Sequence, residues 1–111
     1  MPDKYVYRFT PLAVSDMDEA LAYITDKLVN AKAAGDLLDK IERTLDSVCV
    51  YPHAFPDCTA FLISDPMIRH TLVGNYVLVY EIHDEEREIA VLRFRYARTN
   101  LSDTPMKKDD K

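Results

Sequence analysis

The sequence predicts an α+β fold with the element order β-α-α-β-β-β, in which two helices pack on one face of an antiparallel sheet. Two observations predict this fold. Apolar residues recur at helical spacing between residues 15 and 50, and they alternate in three short blocks between residues 67 and 96. The blocks are interrupted at Gly74-Asn75 and at Asp84-Glu85-Glu86, as in a meander of three strands.

The first strand and the first helix are predicted from the segment that precedes residue 30. Tyr5–Thr10 reads YVYRFT, an alternating run rich in aromatic and β-branched residues, and Pro11 closes it. Ser15 is the predicted N-cap of the first helix, because three acidic residues follow it where the helix dipole favours negative charge. The apolar stripe of this helix contains Met17, Leu21, Ile24 and Leu28.

The second helix follows a corner predicted at Asn30–Asp36, and Pro52 ends it. Its predicted inner face contains Leu37, Leu38, Ile41, Leu45, Val48 and Cys49. Tyr51–Pro66 has three prolines and no helical period, so we expect an ordered connection there. Within this connection His53 and Asp57 are either an acid–base pair or simply solvated side chains.

The meander is predicted as Met67–Val73, Tyr76–His83 and Glu88–Tyr96, with a Gly-Asn hairpin between its first two strands. In the last strand, strict alternation places Leu92 and Phe94 on one face, and their size makes it the predicted core face. Arg93 and Arg95 would then point to the open side. Tyr76 and Tyr80 share one face of the middle strand and are expected to be packing residues.

Length and composition indicate one globular domain, residues 1–103, followed by a polar tail at 104–111. No apolar run is long enough for a membrane span and no signal core is visible, so we expect a cytoplasmic protein. The two glycines stand alone, which excludes a glycine-rich phosphate loop. The two cysteines are predicted to be free thiols, and neither a metal site nor another cofactor is predicted.

Charge distribution singles out the end of the meander. The net charge of −5 argues against a protein that binds nucleic acid over its whole surface. Nevertheless four arginines and a tyrosine gather on the meander and form a candidate binding surface: Arg69, Arg93, Arg95, Tyr96 and Arg98. The alternative is that these arginines are solvated strand residues paired with nearby carboxylates.

The order of elements and the local sequence resemble the RelE/ParE toxin superfamily of bacterial type II toxin–antitoxin modules. The resemblance covers about residues 5 to 101 and is densest in YRFTPLAVSDMDEALAYI, LDSVCVYPHAFPD and IRHTLVGNYVLVYEIHDEEREIAVLRFRYARTNL. An arginine, an Asn-Tyr hairpin and a closing strand that ends in Tyr-x-Arg resemble the plasmid-stabilisation branch in particular.

This resemblance implies a toxin that a cognate antitoxin neutralises by covering its sheet and helices. Superfamily members either cut mRNA on the ribosome, as RelE does, or poison DNA gyrase by binding, as ParE does. RelE-like nucleases have an arginine after the tyrosine that opens the middle strand, whereas this chain has Val77 after Tyr76. A related branch ends the closing strand in His-Tyr, whereas this chain continues Tyr96-Ala97-Arg98.

Three hypotheses follow from these comparisons of motifs. The first is a growth-inhibiting toxin that binds a target such as DNA gyrase. The second is a ribosome-dependent mRNA endoribonuclease, for which the catalytic candidates are Tyr96, Arg98 and Arg69. The third is an inactive interaction scaffold of the same fold, and a homodimer is open in each case. Arg69 either reaches toward Tyr96 and Arg98 or braces the proline-rich loop through its carbonyl groups.

Overall fold

The computed structural model describes residues 4–27, 29–58 and 65–97. Two helices and four strands make up this part of the chain: β1 (Val6–Phe9), α1 (Pro11–Ala22), α2 (Ala31–Val50), β2 (Ile68–Val73), β3 (Tyr76–His83) and β4 (Glu88–Tyr96). The order β-α-α-β-β-β is the predicted one. The predicted tail at 104–111 and the candidate Arg98 lie outside the described residues.

Helix α1 begins earlier than the sequence predicts. Thr10, not Ser15, is its N-cap, and the Thr10 hydroxyl accepts a hydrogen bond from the Ala13 amide at 3.3 Å. Pro11 therefore does not merely close the strand, because it opens the helix at a position where its missing N–H costs nothing. The same Thr10 hydroxyl donates to the Val91 carbonyl at 2.9 Å, which fixes the start of α1 beside β4.

Between the two helices the chain passes through a π-helical segment, Tyr23–Lys27. Helix α2 then begins after Asn30, whose side chain accepts a hydrogen bond from the Ala33 amide at 3.0 Å. The predicted stripe of α1 packs toward the core at Met17, Leu21 and Ile24, whereas its last member, Leu28, lies outside the described residues.

The four strands form one sheet in the order β1-β4-β3-β2. The meander β2-β3-β4 is antiparallel as predicted, and β1 pairs with β4 in parallel, so the complete sheet is mixed. The hairpin between β2 and β3 turns at Gly74, whose φ of +59° is a conformation that glycine adopts without a steric penalty.

A β-bulge in β4 changes the predicted faces of that strand. Val79 of β3 pairs with Arg93, and the next residue, Tyr80, pairs with Val91, so Leu92 is left as the extra residue. Val91 and Phe94 consequently both join the core on the helix side, and Leu92 packs in a second cluster on the other face. The prediction that Leu92 and Phe94 share one face is wrong for this reason.

The main core lies between the helices and the sheet. Leu37, Ile41, Leu45, Val48 and Cys49 of α2 are buried there as predicted, whereas Leu38 is exposed. Tyr80 is fully buried and donates its hydroxyl to the Pro52 carbonyl at 2.9 Å, which ties the end of α2 to the sheet. Both cysteines are free thiols, as predicted.

Among the described helices, none is both long enough and apolar enough to cross a membrane.

Candidate functional site

Arg93, a predicted binding residue, is buried in an ion pair. Its Nε and Nη2 donate to the two carboxylate oxygens of Asp16 at 2.7 and 3.0 Å, and both side chains are less than a tenth exposed. Arg93 lies opposite Val79, on the face of the second cluster as predicted, but its guanidinium is buried in this ion pair and is not open to solvent. The fork of a guanidinium matches the two oxygens of a carboxylate, so this pair fixes α1 against β4 rather than offering a free charge.

Asp16 also completes the edge of the sheet. Strand β1 pairs with β4 up to Val91, and beyond that point the Phe94 amide donates to the Asp16 carboxylate at 3.0 Å. Burial alone would raise the pKa of Asp16, but the hydrogen bonds from Arg93, from the Phe94 amide and from Arg95 outweigh it, and the pKa is lowered. Asp16 therefore remains ionised and holds the end of β4.

Arg69 braces the proline-rich connection, which was one of its two predicted alternatives. Its guanidinium donates to the carbonyl groups of Pro66 at 2.8 Å, of Phe55 at 2.7 Å and of His53 at 3.3 Å. In the sheet it lies opposite Tyr80, which in turn faces Val91. The structure thus places Arg69 well away from Tyr96 at the end of β4.

The other described candidates, Arg95 and Tyr96, line an open groove of about 810 Å³. It lies between α1 with the π-helical segment, the start of α2, the start of β3 and the end of β4. We call it the aromatic groove and define it by Tyr23, Ile24, Tyr76, Phe94, Arg95 and Tyr96. Its volume falls within the range of about 300–1,000 Å³ that ligand pockets occupy. The tyrosines at its rim, Tyr23 and Tyr96, are 54% and 45% exposed.

Stacked rings form the floor of the aromatic groove. The rings of Tyr76 and Phe94 lie parallel with centroids 4.8 Å apart, and Tyr96 meets Tyr76 edge to face at 5.8 Å. Burial raises the pKa of Tyr76, and the nearby Tyr96 and Tyr23 raise it further. Tyr76 is consequently a neutral phenol near pH 7, which suits packing and hydrogen bonding rather than base catalysis.

A second polar cluster, which sequence reasoning missed, lies where β1, the turn after α2 and the β3–β4 turn meet. The Tyr5 hydroxyl donates to Asp84, and the His53 ring nitrogen Nε2 lies 3.0 Å from the same carboxylate. An acid–base pair of His53 with Asp57 was one of two alternatives; the carboxylate that the structure places beside His53 is that of Asp84, and Asp57 forms a backbone bridge with Arg69. Hydrogen bonds from Tyr5 and His53 lower the pKa of Asp84.

This cluster is exposed, and its contacts with the Asp84 carboxylate join three segments of the chain. Within the described residues, no group of three or more His, Cys, Asp or Glu side chains is arranged to hold a metal ion.

The burial of Asp16 could have been predicted from its spacing in α1, but the predicted N-cap at Ser15 instead makes Asp16 an acidic residue that follows the cap. Ala13, Asp16 and Ala20 are spaced by three and four residues and form the buried side of α1. A carboxylate on such a stripe requires a charged partner, which this chain supplies from β4, 77 positions away. Neither Asp16 nor Arg93, taken alone, indicates that the two side chains form an ion pair.

Comparison with known proteins agrees with this architecture. A search of curated proteins found no match. Among solved structures, the fold is similar to a chain of the chromosomal ParDE toxin–antitoxin system from P. aeruginosa, with a TM-score of 0.65 and 14% identity over 86% of this chain and 98% of that chain. A chain of the RelBE2 toxin–antitoxin complex from Mycobacterium tuberculosis also matches, with a TM-score of 0.49 and 23% identity over 86% and 93%.

The family comparison is the decisive one for identity. Residues 7–101 match the model of the ParE toxin of the parDE type II toxin–antitoxin system. This match spans both helices, all three strands of the meander and most of β1. The resemblance to the RelE/ParE superfamily is confirmed, and the chain belongs to the ParE toxin family of type II toxin–antitoxin systems.

Proposed function

We propose that this chain inhibits growth by binding a protein target such as DNA gyrase in the cytoplasm, and that a cognate antitoxin neutralises it. Membership of the ParE toxin family supports the toxin role and the antitoxin partner. The finer assignment, binding rather than RNA cleavage, is supported by how the candidate side chains are engaged.

The observation that carries the proposal is that two of the arginines a nuclease would use are already occupied. The carboxylate of Asp16 takes the Arg93 guanidinium, and loop carbonyls take that of Arg69. Ribonuclease catalysis requires cations that hold phosphate and stabilise developing charge. Freeing Arg93 would leave the Asp16 carboxylate buried without its main partner, so Arg93 is unsuited to that role.

Among the described residues, those exposed to solvent near the end of β4 are of the types that bind proteins. Tyr23 and Tyr96 are half exposed beside a groove with stacked aromatic rings, and Arg95 lies next to them. Tyrosine and arginine are the side chains enriched at the centres of protein interfaces. The aromatic groove is therefore the surface we assign to protein binding.

The test is expression from a tightly repressed promoter in a bacterium that lacks the antitoxin, with growth, DNA supercoiling and mRNA integrity followed together. We expect arrest with DNA damage and intact mRNA. Variants Tyr96→Ala and Arg95→Ala should relieve the arrest, whereas Arg43→Ala, an exposed arginine of α2, should not.

Two outcomes contradict the proposal. Arrest with cleaved transcripts would assign the chain to the ribonuclease class, and the Tyr96→Phe and Arg98→Ala variants would then show which side chains are needed. Undisturbed growth with soluble expression verified would leave an interaction scaffold.

A further inference from the structure

We infer that the aromatic groove binds a segment of a protein partner that presents an apolar side chain next to a carboxylate, and that this carboxylate pairs with Arg95. The inference rests on the proposed function in that the occupant is part of a protein. It adds the chemical class of the recognised segment, and it names Arg95 as the residue that pairs with the carboxylate of that segment.

The guanidinium of Arg95 has unused hydrogen-bonding capacity. Among the described residues it donates one hydrogen bond, from Nη1 to Asp16 at 3.2 Å, although a guanidinium carries five N–H groups. Its Nε is buried and has no hydrogen-bond partner, so the exposed part of the side chain lies at other atoms. The side chain is 30% exposed, so a group that enters the groove can reach it.

Glu19 occupies the position that an incoming carboxylate would take. Its Oε1 lies 3.8 Å from Nη1 of Arg95, which is too far for a hydrogen bond, and its side chain is 74% exposed. An exposed ion pair of this kind is worth little, about 0–1 kcal/mol. A carboxylate held in place by a neighbouring side chain in the groove can therefore replace Glu19 at small cost.

Charge balance favours one carboxylate over a nucleic-acid backbone. Among the described residues that line the groove, Arg95 is the single cation, whereas Asp16 and Glu19 are anions. A nucleic acid brings a negative charge with every nucleotide and needs several cations along its path. A single carboxylate needs only the Arg95 guanidinium, from which the exposed Glu19 side chain can turn away.

The apolar side chain of the proposed ligand is inferred from the aromatic rings that line the groove. Tyr76 is partly exposed and stacks on the buried Phe94 ring, and the exposed rings of Tyr23 and Tyr96 stand at the rim. An aromatic or large aliphatic side chain packs favourably on such rings. The phenol groups of Tyr23 and Tyr96 add hydrogen-bond donors beside Arg95.

The experiment uses two matched probes, acetyl-Phe-Glu-amide and acetyl-Phe-Gln-amide, titrated into the full ¹⁵N-labelled chain and followed by amide chemical shifts. We expect shifts at residues of the aromatic groove and about fivefold tighter binding of the Glu peptide, as one charge-assisted hydrogen bond provides at a partly exposed site. In Arg95→Gln the two peptides should bind equally, whereas Arg43→Gln should keep the difference.

A second variant keeps the inference falsifiable if Arg95→Gln disturbs the fold. Glu19→Gln changes an exposed side chain, and it should strengthen binding of the Glu peptide about two- to fivefold by removing the competing carboxylate, with the Gln peptide unaffected. Equal binding of both peptides to the wild-type chain, or shifts outside the groove, would overturn the inference.

The same titration with the trinucleotide UpUpU separates protein from RNA. Tighter binding of UpUpU than of the Glu peptide at the groove would replace the peptide assignment with a nucleotide one. Because the measurement needs neither an antitoxin nor a growth phenotype, a failure of the toxin proposal in cells leaves its result unaffected.

Discussion

Replacing Asp16 with asparagine tests the buried ion pair most directly, because it removes one charge and keeps the shape of the side chain. Asp16 and Arg93 are 6% and 8% exposed, so the buried guanidinium would lose the carboxylate that accepts two of its hydrogen bonds. Breaking a buried pair in this way costs about 3–5 kcal/mol of unfolding free energy. Because the amide oxygen of asparagine can still accept a hydrogen bond, we expect a loss of about 3 kcal/mol. For a domain of this size, that loss lowers Tm by roughly 12–24 °C.

The assay is urea unfolding at neutral pH followed by circular dichroism, repeated at lower pH. The lowered pKa of Asp16 means that its contribution is complete above the ordinary carboxyl value of 3.8 and is lost as the pH falls below it through the folded-state pKa. The difference in unfolding free energy between the wild type and Asp16→Asn should therefore shrink in acid.

Two further variants show whether the cost comes from the buried charge. Asp18→Asn changes an exposed carboxylate on the same helix and should alter the unfolding free energy by less than about 0.5 kcal/mol. The double variant Asp16→Leu, Arg93→Leu should be more stable than Asp16→Asn, since it leaves neither charge unpaired. A loss in Asp16→Asn no larger than that in Asp18→Asn would refute the reasoning.

Three other changes have defined outcomes. Tyr80→Phe should lower the unfolding free energy in urea by about 1–3 kcal/mol, because the buried Pro52 carbonyl loses its donor. Gly74→Ala should cost about 1–2 kcal/mol in the same assay, since alanine resists a φ of +59°. Burial raises the pKa of Cys58 to about 11, so a disulfide reagent should react with this thiol in the unfolded protein and hardly at all in the native one.

Local signals were enough to predict most of the fold. The apolar face of α2 repeats with helical spacing from Leu37 onward, and Pro52 marks its end, whereas the segment predicted as a corner forms the beginning of this helix. The Gly-Asn turn fixes the hairpin, and the predicted bounds of β3 and β4 are those observed. In each case the residues that determine the element lie within or next to it.

The candidate site depended on contacts that the sequence does not display. Alternation grouped Ala90 with Leu92 correctly but placed them on the helix side, where Val91 lies instead; the bulge at Leu92 adds one residue and brings Phe94 to that side. The role of Arg93 depends on Asp16, and the role of Arg69 on carbonyl groups of a loop. Of the five predicted binding residues, the structure brings Arg95 and Tyr96 to one groove, and Arg98 lies outside the described residues.

The parallel pairing of β1 with β4 has a consequence for how the chain folds. Thr10 at the end of β1 bonds to Val91, 81 positions later, and β4 is the last of the described strands to be synthesised. Until β4 leaves the ribosome, β1 lacks the strand with which it pairs and Asp16 of α1 lacks Arg93. Contacts between such distant residues slow folding, so we expect the domain to close late and cooperatively. A chain cut short before β4 would then yield an unfolded product rather than a partly folded domain.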